Sequence, residues 1–174
     1  MGEGMSILGA LFIAACVYLV LFSLYNGIGP MPTSQSVKKA LLSKLIDLKG
    51  PIIELGTGWG TLTVLLAKKF PGKQIIAYEN SWIPYFFSKI RLLKYRQVTL
   101  LYKDFWEEDL SNSGTIICYL YPKAMDRLKI KFEKELSPST LVVTHTFAIP
   151  GWRPTETLQA DDLYRTPIYH YRVN

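Results

Sequence analysis

The stretch that decides the fold is Glu54-Leu55-Gly56-Thr57-Gly58-Trp59-Gly60. An apolar run, 51–53, leads into it, and a run with helical character, 61–70, follows it. A strand, a glycine turn and a helix in this order predict the first unit of a doubly wound α/β domain. Glycines at alternate positions permit positive φ angles and leave no Cβ in the way of a ligand that lies against the backbone.

Two classes of ligand use such a turn, and the spacing of the glycines separates them. A dinucleotide turn follows G-x-G-x-x-G, and its third glycine would fall where this chain has Thr61. The stretch matches instead the acidic residue and G-x-G-x-G of enzymes that use S-adenosylmethionine (AdoMet). Glu79 ends the next apolar strand, 74–78, where a carboxylate can hold ribose hydroxyls. The sequence therefore predicts AdoMet as the cofactor, with a tight turn that binds no ligand as the alternative.

Further cofactor contacts are expected after the third strand, 98–102. There Asp104 can accept a hydrogen bond from the adenine amine, and Phe105 or Trp106 can pack on the ring. An extra helix, capped by Thr33 or Ser34 and running to Leu48, precedes the first strand, and residues 31–34 at its start are either a lid over the cofactor or a plain linker. The predicted cofactor-binding residues are Glu54, Gly56, Thr57, Gly58, Gly60, Glu79, Asp104 and Phe105.

The N-terminal segment differs in composition from the rest of the chain. No charged residue occurs between Glu3 and Lys38, and residues 5–25 are mostly apolar. A helix of this length crosses a hydrocarbon layer of about 30 Å, and the basic start of a signal peptide is missing. We expect a single transmembrane anchor over 5–25, a Gly- and Pro-rich linker over 26–32 and one domain over 33–174. The lysines that follow the anchor predict a cytoplasmic domain.

The chain is basic, with a net charge of +6. For an anchored domain, attraction to anionic lipid headgroups is the simplest account, and nucleic-acid binding is the alternative. Enzymes that methylate nucleic-acid bases often carry Asn/Asp-Pro-Pro-Tyr at the end of the fourth strand, whereas this chain has Tyr119-Leu120-Tyr121-Pro122. This departure argues against a nucleic-acid partner. Two cysteines, Cys16 and Cys118, are too few for a metal site, and none is predicted.

The acceptor is expected beyond the carboxyl ends of the fourth and fifth strands, 115–120 and 141–147, because sheets of this type bind ligands there. The candidate catalytic residues are Tyr119, Tyr121 and His145, each with ordinary packing as the alternative. The tyrosines could line a channel for an alkylamine, and no general base is assigned. No full helix fits between the fifth strand and a closing antiparallel pair, 155–159 and 167–173, so the end of the fold is abridged.

Several motifs, in the same order, resemble one group of enzymes. They are the apolar N-terminal segment, Pro30-Met31-Pro32-Thr33, the glycine stretch, Asp104-Phe105-Trp106, Tyr119-Leu120-Tyr121-Pro122 and Phe147-Ala148-Ile149-Pro150-Gly151-Trp152. The chain resembles the small membrane-anchored class I methyltransferases that depend on AdoMet. Mitochondrial members of that group methylate lysine on the adenine nucleotide translocase and on the ATP synthase c-subunit. The resemblance implies a Rossmann-like seven-strand sheet, AdoMet as cofactor and a protein lysine as acceptor.

Two departures from this group limit what the resemblance implies. The mitochondrial members typically have Asp at the position of Glu54 and a polar residue at the position of Trp59. The chain therefore looks more like a prokaryotic relative, and the substrate does not carry over. Two alternatives stay open: a methyltransferase acting on a lipid or a small membrane-associated acceptor, and a non-catalytic Rossmann-like binding module at the membrane.

Overall fold

The computed structural model describes residues 2–26, 33–46 and 48–174. The chain divides into two units, Met1–Met31 and Pro32–Asn174. The first contains helix α1, Gly2–Asn26, in which Leu8 and Phe12 are 68% and 71% exposed. Asn26, placed in the linker by the sequence, is the last residue of α1, and the rest of that linker, 27–32, lies outside the described residues.

The predicted transmembrane anchor finds no support in this structure. The helix expected over 5–25 is present within α1. Among the described residues, however, no helix combines the length and the apolar character needed to cross a membrane.

The second unit is built on one sheet of seven strands in the order β3-β2-β1-β4-β5-β7-β6. Strands β1 to β5 are parallel, and β7 runs antiparallel between β5 and β6. The predicted Rossmann-like seven-strand sheet is therefore confirmed. The strands are β1 Ile52–Leu55, β2 Ile75–Glu79, β3 Val98–Tyr102, β4 Thr115–Cys118, β5 Leu141–His145, β6 Glu156–Gln159 and β7 Pro167–Arg172. The helices of this unit are α2 Gln35–Lys44, α3 Thr61–Lys69, α4 Trp82–Leu92 and α5 Pro122–Glu135, with a short 3-10 helix over Phe105–Glu107.

The central strands β1, β4 and β5 are buried along their whole length and mostly apolar, because helices cover both faces of the sheet. Ile52 of β1 and Ile117 of β4 belong to one hydrophobic cluster, which includes buried residues of α2 and α3. Ile53 and Ile116, their neighbours along the strands, belong to a second cluster, which includes buried residues of α5. The strand order changes direction between β1 and β4, and ligands of such sheets bind at the carboxyl edge near that point.

Several element ends differ from those expected from the sequence. Helix α2 ends at Lys44 instead of running to residue 48. Of the two predicted caps, Thr33 and Ser34, the structure has Ser34, whose hydroxyl accepts a hydrogen bond from the Val37 amide at 3.2 Å. Strand β4 ends at Cys118 and β5 at His145, so the residues after them are free to leave the sheet plane. The predicted abridged end is observed, since residues 146–155 contain no helix. This segment is attached to β7 by a hydrogen bond of 3.0 Å, which the Ile149 amide donates to the Tyr171 hydroxyl.

A substitution at Gly114, just before β4, tests how closely the chain is packed at the amino edge of the sheet. A Cβ at this position would lie 1.6 Å from the carbonyl oxygen of Lys49. We expect Gly114→Ala to lower the melting temperature by roughly 4–8 °C, because an overpacked site costs about 2 kcal/mol. The matched control is Gly72→Ala, whose added Cβ would meet nothing within 4 Å. Equal midpoints for the two variants in thermal unfolding followed by circular dichroism would contradict this account.

Candidate functional site

The glycine turn after β1 is held open by backbone geometry that favours glycine. Gly56, Gly58 and Gly60 have φ angles of 77°, 57° and 70°. The Gly56 and Thr57 amides both donate hydrogen bonds to the carbonyl oxygen of Tyr78, at 3.0 and 2.9 Å. The Gly60 amide donates one to the carbonyl oxygen of Thr57 at 3.0 Å. A turn that binds pyrophosphate must point such N–H groups at the ligand. Because these amides already have protein acceptors, the turn is not built as a phosphate site.

Gly58 and Gly60 are glycines for different physical reasons. A Cβ on Gly60 would lie 2.9 Å from the Ser88 hydroxyl oxygen, so this glycine allows α4 to approach the turn. Ser88 in turn donates a hydrogen bond to the Gly58 carbonyl at 2.5 Å. A Cβ on Gly58 would meet nothing within 4 Å. The open side of the turn is therefore at Gly58, where a ligand can lie against the backbone.

Glu79, the last residue of β2, lies directly against this open side. One carboxylate oxygen accepts a hydrogen bond from the Gly58 amide at 2.7 Å, and the other accepts one from the Ser81 amide at 2.8 Å. Burial raises the pKa of Glu79, and the backbone hydrogen bonds oppose that rise. The Asn80 amide is a third backbone group that stabilises the ionised carboxylate. Since a carboxylate has about four acceptor positions, capacity is left for a hydroxyl group such as that of a ribose. The predicted ribose role of Glu79 thus fits its position.

Glu54 occupies a different place from the one expected for a cofactor ligand. Its carboxyl group is buried in β1 beneath the turn and accepts a hydrogen bond from the Thr63 hydroxyl at 2.6 Å, while the Thr63 and Thr57 hydroxyls also bond to each other. Burial raises the pKa of Glu54 to about 8, so the group is mostly protonated at neutral pH. Glu54 and Thr57 therefore join β1 and the turn to the first turn of α3, and their contact with a cofactor stays a prediction.

Asp104 and Phe105, both expected near the adenine, differ in how much of each side chain is exposed to solvent. Asp104 is exposed and accepts a hydrogen bond from the Trp106 amide at 3.2 Å, which begins the 3-10 helix. Phe105 is 7% exposed and belongs to the hydrophobic cluster on the α5 side of the sheet. Asp104 can reach a ligand at this edge, whereas Phe105 serves the core in this structure. Their roles at the adenine stay predictions.

An aromatic stack lies at the carboxyl ends of β4 and β5, where the acceptor was expected. The Tyr119 ring lies 4.3 Å from the His145 ring at 17° and 6.4 Å from the Phe147 ring at 2°. The Thr33 hydroxyl, just before α2, lies 3.3 Å from His145 Nε2. Thr146 has a φ angle of 69°, which is rare for a β-branched residue and turns the chain sharply between His145 and Phe147. This backbone outlier is the kind of strain that collects at functional sites.

The titration of His145 restricts its role in this stack. Burial lowers its pKa to about 4, so the ring is uncharged at neutral pH and is a weak base. Tyr121, the third candidate, is the N-cap residue of α5 and makes no ring contact with the stack among the described residues. The structure thus brings Tyr119 and His145 together and separates Tyr121 from them.

Sequence reasoning did not single out several residues that support the site. Lys38 of α2 is only 4% exposed, and its pKa is lowered by burial and by Arg91, while Glu54 opposes this. Its position three residues before the core residue Leu41 could have marked it as inward-facing. Thr63, Ser88 and Thr146 carried no sequence signal, because their partners are distant in the chain or depend on backbone angles. The predicted lid residues Met31 and Pro32 lie outside the described residues.

A family model described as the ANTKMT methyltransferase domain matches residues 54–156 of the chain. The chain belongs to this family. The match begins at Glu54 and includes the glycine turn, Glu79 and the stack formed by Tyr119, His145 and Phe147. The ANTKMT methyltransferase domain therefore contains both the cofactor side and the acceptor side of the candidate site. The predicted enzyme class and cofactor are confirmed: the chain is a methyltransferase that depends on AdoMet.

Individual relatives agree with this assignment. A protein-lysine N-methyltransferase of Saccharolobus islandicus (strain REY15A) is 29% identical over 136 residues, which are 76% of this chain and 84% of the relative. The lysine N-methyltransferase of the ATP synthase c-subunit from Xenopus laevis is 25% identical over 128 residues, 71% of this chain but only 55% of that protein. The chain thus spans about half the length of this vertebrate relative.

One solved structure has nearly the same fold. It is an RNA methyltransferase from Salinibacter ruber in complex with S-adenosyl-L-homocysteine, with a TM-score of 0.73 and 24% identity, covering 82% of this chain and 94% of that one. At this level of identity the likeness concerns the fold alone. It supports the class I methyltransferase architecture of the ANTKMT methyltransferase domain and carries no information about the acceptor.

Glu79→Gln tests the cofactor side of the site. The amide nitrogen cannot accept the hydrogen bond that a carboxylate oxygen accepts, and the negative charge is lost. We expect AdoMet affinity measured by calorimetry to fall roughly 10- to 100-fold, because hydrogen bonds to charged groups contribute about 1.5–3 kcal/mol. The control is Glu156→Gln on β6, a side chain 41% exposed and bound to Lys44. If Glu79→Gln binds AdoMet as tightly as this control, Glu79 does not hold the cofactor.

Glu54→Gln tests the protonation of the buried carboxyl group. A pKa raised to about 8 means that the folded protein retains a proton that the unfolded chain releases near 4.5. The stability contributed by Glu54 is therefore complete below about pH 4.5 and is lost as the pH rises through about 8.

The corresponding measurement is urea unfolding of wild type and Glu54→Gln at a series of pH values. Groups common to both proteins, including Lys38 and Glu79, largely cancel in the difference. We expect the unfolding free energy of wild type minus that of the variant to decrease between pH 4.5 and 8 and then to level off. A difference that stays constant over this interval would show that Glu54 is ionised in the folded protein.

Proposed function

We propose that the chain is a protein-lysine N-methyltransferase. The observation that carries this proposal is the uncharged aromatic stack of Tyr119, His145 and Phe147 at the carboxyl ends of β4 and β5. A lysine must lose its proton before it can accept a methyl group, and its unperturbed pKa is about 10.4. An environment of uncharged rings favours the neutral amine by desolvation. The stack therefore suits an alkylamine acceptor.

The relatives support the same acceptor. The archaeal relative, of which the chain covers 84%, is named a protein-lysine N-methyltransferase. The Xenopus relative is named for lysine methylation of the ATP synthase c-subunit. After its fourth strand this chain has Tyr119-Leu120-Tyr121-Pro122 and lacks the Asn/Asp-Pro-Pro-Tyr typical of enzymes that methylate bases. A lysine side chain is thus favoured over a nucleic-acid base.

The cofactor side of the site fits AdoMet. The open space beside Gly58 accepts a group lying against the backbone, and the Glu79 carboxylate keeps acceptor capacity for a ribose hydroxyl. When bound, AdoMet supplies a methyl group already activated by a positively charged sulfur. The protein needs mainly to hold the amine in line with the sulfur–methyl bond and to exclude water.

His145 acts in this proposal as a positioning residue. Its ring stacks on Tyr119, and its Nε2 atom is within reach of the Thr33 hydroxyl on the segment before α2. With a pKa of about 4 it is too weak a base to deprotonate a lysine at neutral pH. We therefore assign no fixed general base, and the amine loses its proton to solvent before methyl transfer.

We propose separately that the N-terminal segment attaches the enzyme to a membrane, with the domain on the cytoplasmic side. Support comes from the absence of charge between Glu3 and Lys38 and from exposed apolar side chains of α1 such as Leu8 and Phe12. Fractionation of producing cells with a high-salt wash tests this: wild type should stay with the membranes, and a variant lacking residues 2–26 should be released by the wash. Wild type found in the soluble fraction would overturn the proposal.

The acceptor is tested by incubating the enzyme with tritiated AdoMet and membrane extract. We expect label in one or more protein bands, and mass spectrometry of those bands should find methyl groups on lysine nitrogen. Label confined to the lipid phase would replace the lysine acceptor by a lipid. Label confined to RNA would instead indicate a nucleic-acid acceptor. No label at all would favour a non-catalytic binding module.

Tyr119 provides the matched control for this assay. Tyr119→Phe keeps the ring, so it should label protein at close to the wild-type rate. Tyr119→Ala removes the ring that lines the acceptor side and should lower kcat roughly 10- to 100-fold, because small errors in positioning have effects of that size. AdoMet affinity should be similar in both variants. Equal kcat values for the two variants would show that the aromatic stack does not line the acceptor site.

A further inference from the structure

Helix α4 has an exposed apolar face that neither the fold nor the proposed acceptor site uses. Trp82, Phe86, Ile90 and Leu93 recur at helical spacing and are 61%, 50%, 53% and 74% exposed. Phe87 beside them is 50% exposed. We call these five residues the aromatic face. Large contiguous apolar patches are rare on the surfaces of soluble monomeric domains and mark interaction sites.

The opposite side of α4 already provides the packing that the core needs. Pro84, Ser88 and Leu92 are the buried residues of this helix. The aromatic face instead packs mainly on itself, since the Trp82 and Phe86 rings stack at 6.2 Å and the Phe86 and Phe87 rings meet edge to face at 6.0 Å. The face is therefore ordered but remains open to solvent.

Basic residues flank the aromatic face, and acidic residues are absent from this part of the chain. Between Trp82 and Arg96 the sequence contains Lys89, Arg91, Lys94 and Arg96 and neither Asp nor Glu. All four basic residues are exposed. Within the part of the chain that the structure describes, no ion pair involves any of them. Their charge is available to an anionic partner.

We propose that the aromatic face and its flanking basic residues dock the domain on the surface of a bilayer that contains anionic phospholipid. Exposed Trp and Phe beside Lys and Arg are typical of helices that lie in the membrane interface. The cores of protein–protein interfaces are depleted in Lys, so a protein partner suits this surface less well. Trp82 and Phe86 enter the headgroup region, and the lysines contact lipid phosphates and carboxylates.

This docking would bring the active-site edge of the sheet to the membrane. Helix α4 begins just after Glu79, at the carboxyl edge where the cofactor turn lies. Trp59 of that turn packs against Phe87 of the aromatic face, with ring centroids 5.5 Å apart. A domain docked through α4 therefore presents its cofactor edge beside the bilayer surface. Side chains that project from membrane-embedded proteins lie within reach there.

Tryptophan fluorescence can test this contact in the full chain, independently of α1. The tryptophans are Trp59, Trp82, Trp106 and Trp152, and α1 contains none. Vesicles of brominated phosphatidylcholine mixed with phosphatidylserine quench only tryptophans that enter the lipid. We expect wild-type emission to be quenched, Trp82→Phe to lose at least half of that quenching, and Trp106→Phe and Trp152→Phe to retain it. Circular dichroism verifies that each variant is folded.

The charge requirement is tested with a matched pair of double variants. Lys89→Gln with Lys94→Gln should lower the ratio of docked to undocked domain, measured as the extent of quenching at saturating lipid, by roughly fivefold for each lysine removed. Lys123→Gln with Lys134→Gln removes the same charge from exposed positions on α5, on the other side of the sheet, and should leave the extent of quenching nearly unchanged.

Three outcomes would overturn the proposal. The first is equal quenching in wild type and Trp82→Phe, which would mean that α4 does not touch lipid. The second is quenching that is the same with and without phosphatidylserine. The third is no quenching at all in vesicles to which the protein is bound, which would leave the aromatic face to a protein partner.

Discussion

The hydrogen bonds of the Glu79 carboxylate are the interaction on which the candidate site depends. One oxygen holds the Gly58 amide of the turn after β1, and the other holds the Ser81 amide at the start of α4. A single side chain at the end of β2 therefore sets the distance between the cofactor turn and the next helix. Since both amides are backbone groups, the turn keeps its shape without a ligand and is prepared to receive one.

Two acidic residues at neighbouring strand ends perform different tasks because their surroundings differ. Glu79 receives two backbone N–H groups, which favour its ionised form. Glu54 accepts a hydrogen bond from the Thr63 hydroxyl, but its burial outweighs that bond and favours the protonated form. The first can bind hydroxyl groups of a nucleoside, and the second joins the turn to α3 without placing a second negative charge beside the first.

The acceptor side and the aromatic face lie on the same carboxyl edge of the sheet. The stack of Tyr119 and His145 follows β4 and β5, while Trp59 and α4 follow β1 and β2. An uncharged ring environment favours a neutral amine, and an apolar and basic surface favours an anionic bilayer. Both preferences suit an enzyme whose acceptor lysine lies close to a membrane. In this proposal the cofactor, the acceptor and the docking surface are positioned by one edge.

Local signals in the sequence determined the fold, the cofactor and the family. The glycine stretch, the apolar strands, the cap at Ser34 and the proline that begins α5 all act over a few residues, so their spacing alone predicts strand, turn and helix. The tertiary structure alone decided which groups meet. Thr33 reaches His145 across 112 positions, Phe105 enters the core, and Glu54 pairs with a threonine hydroxyl. Burial and hydrogen-bond partners depend on contacts between distant segments, which no local spacing encodes.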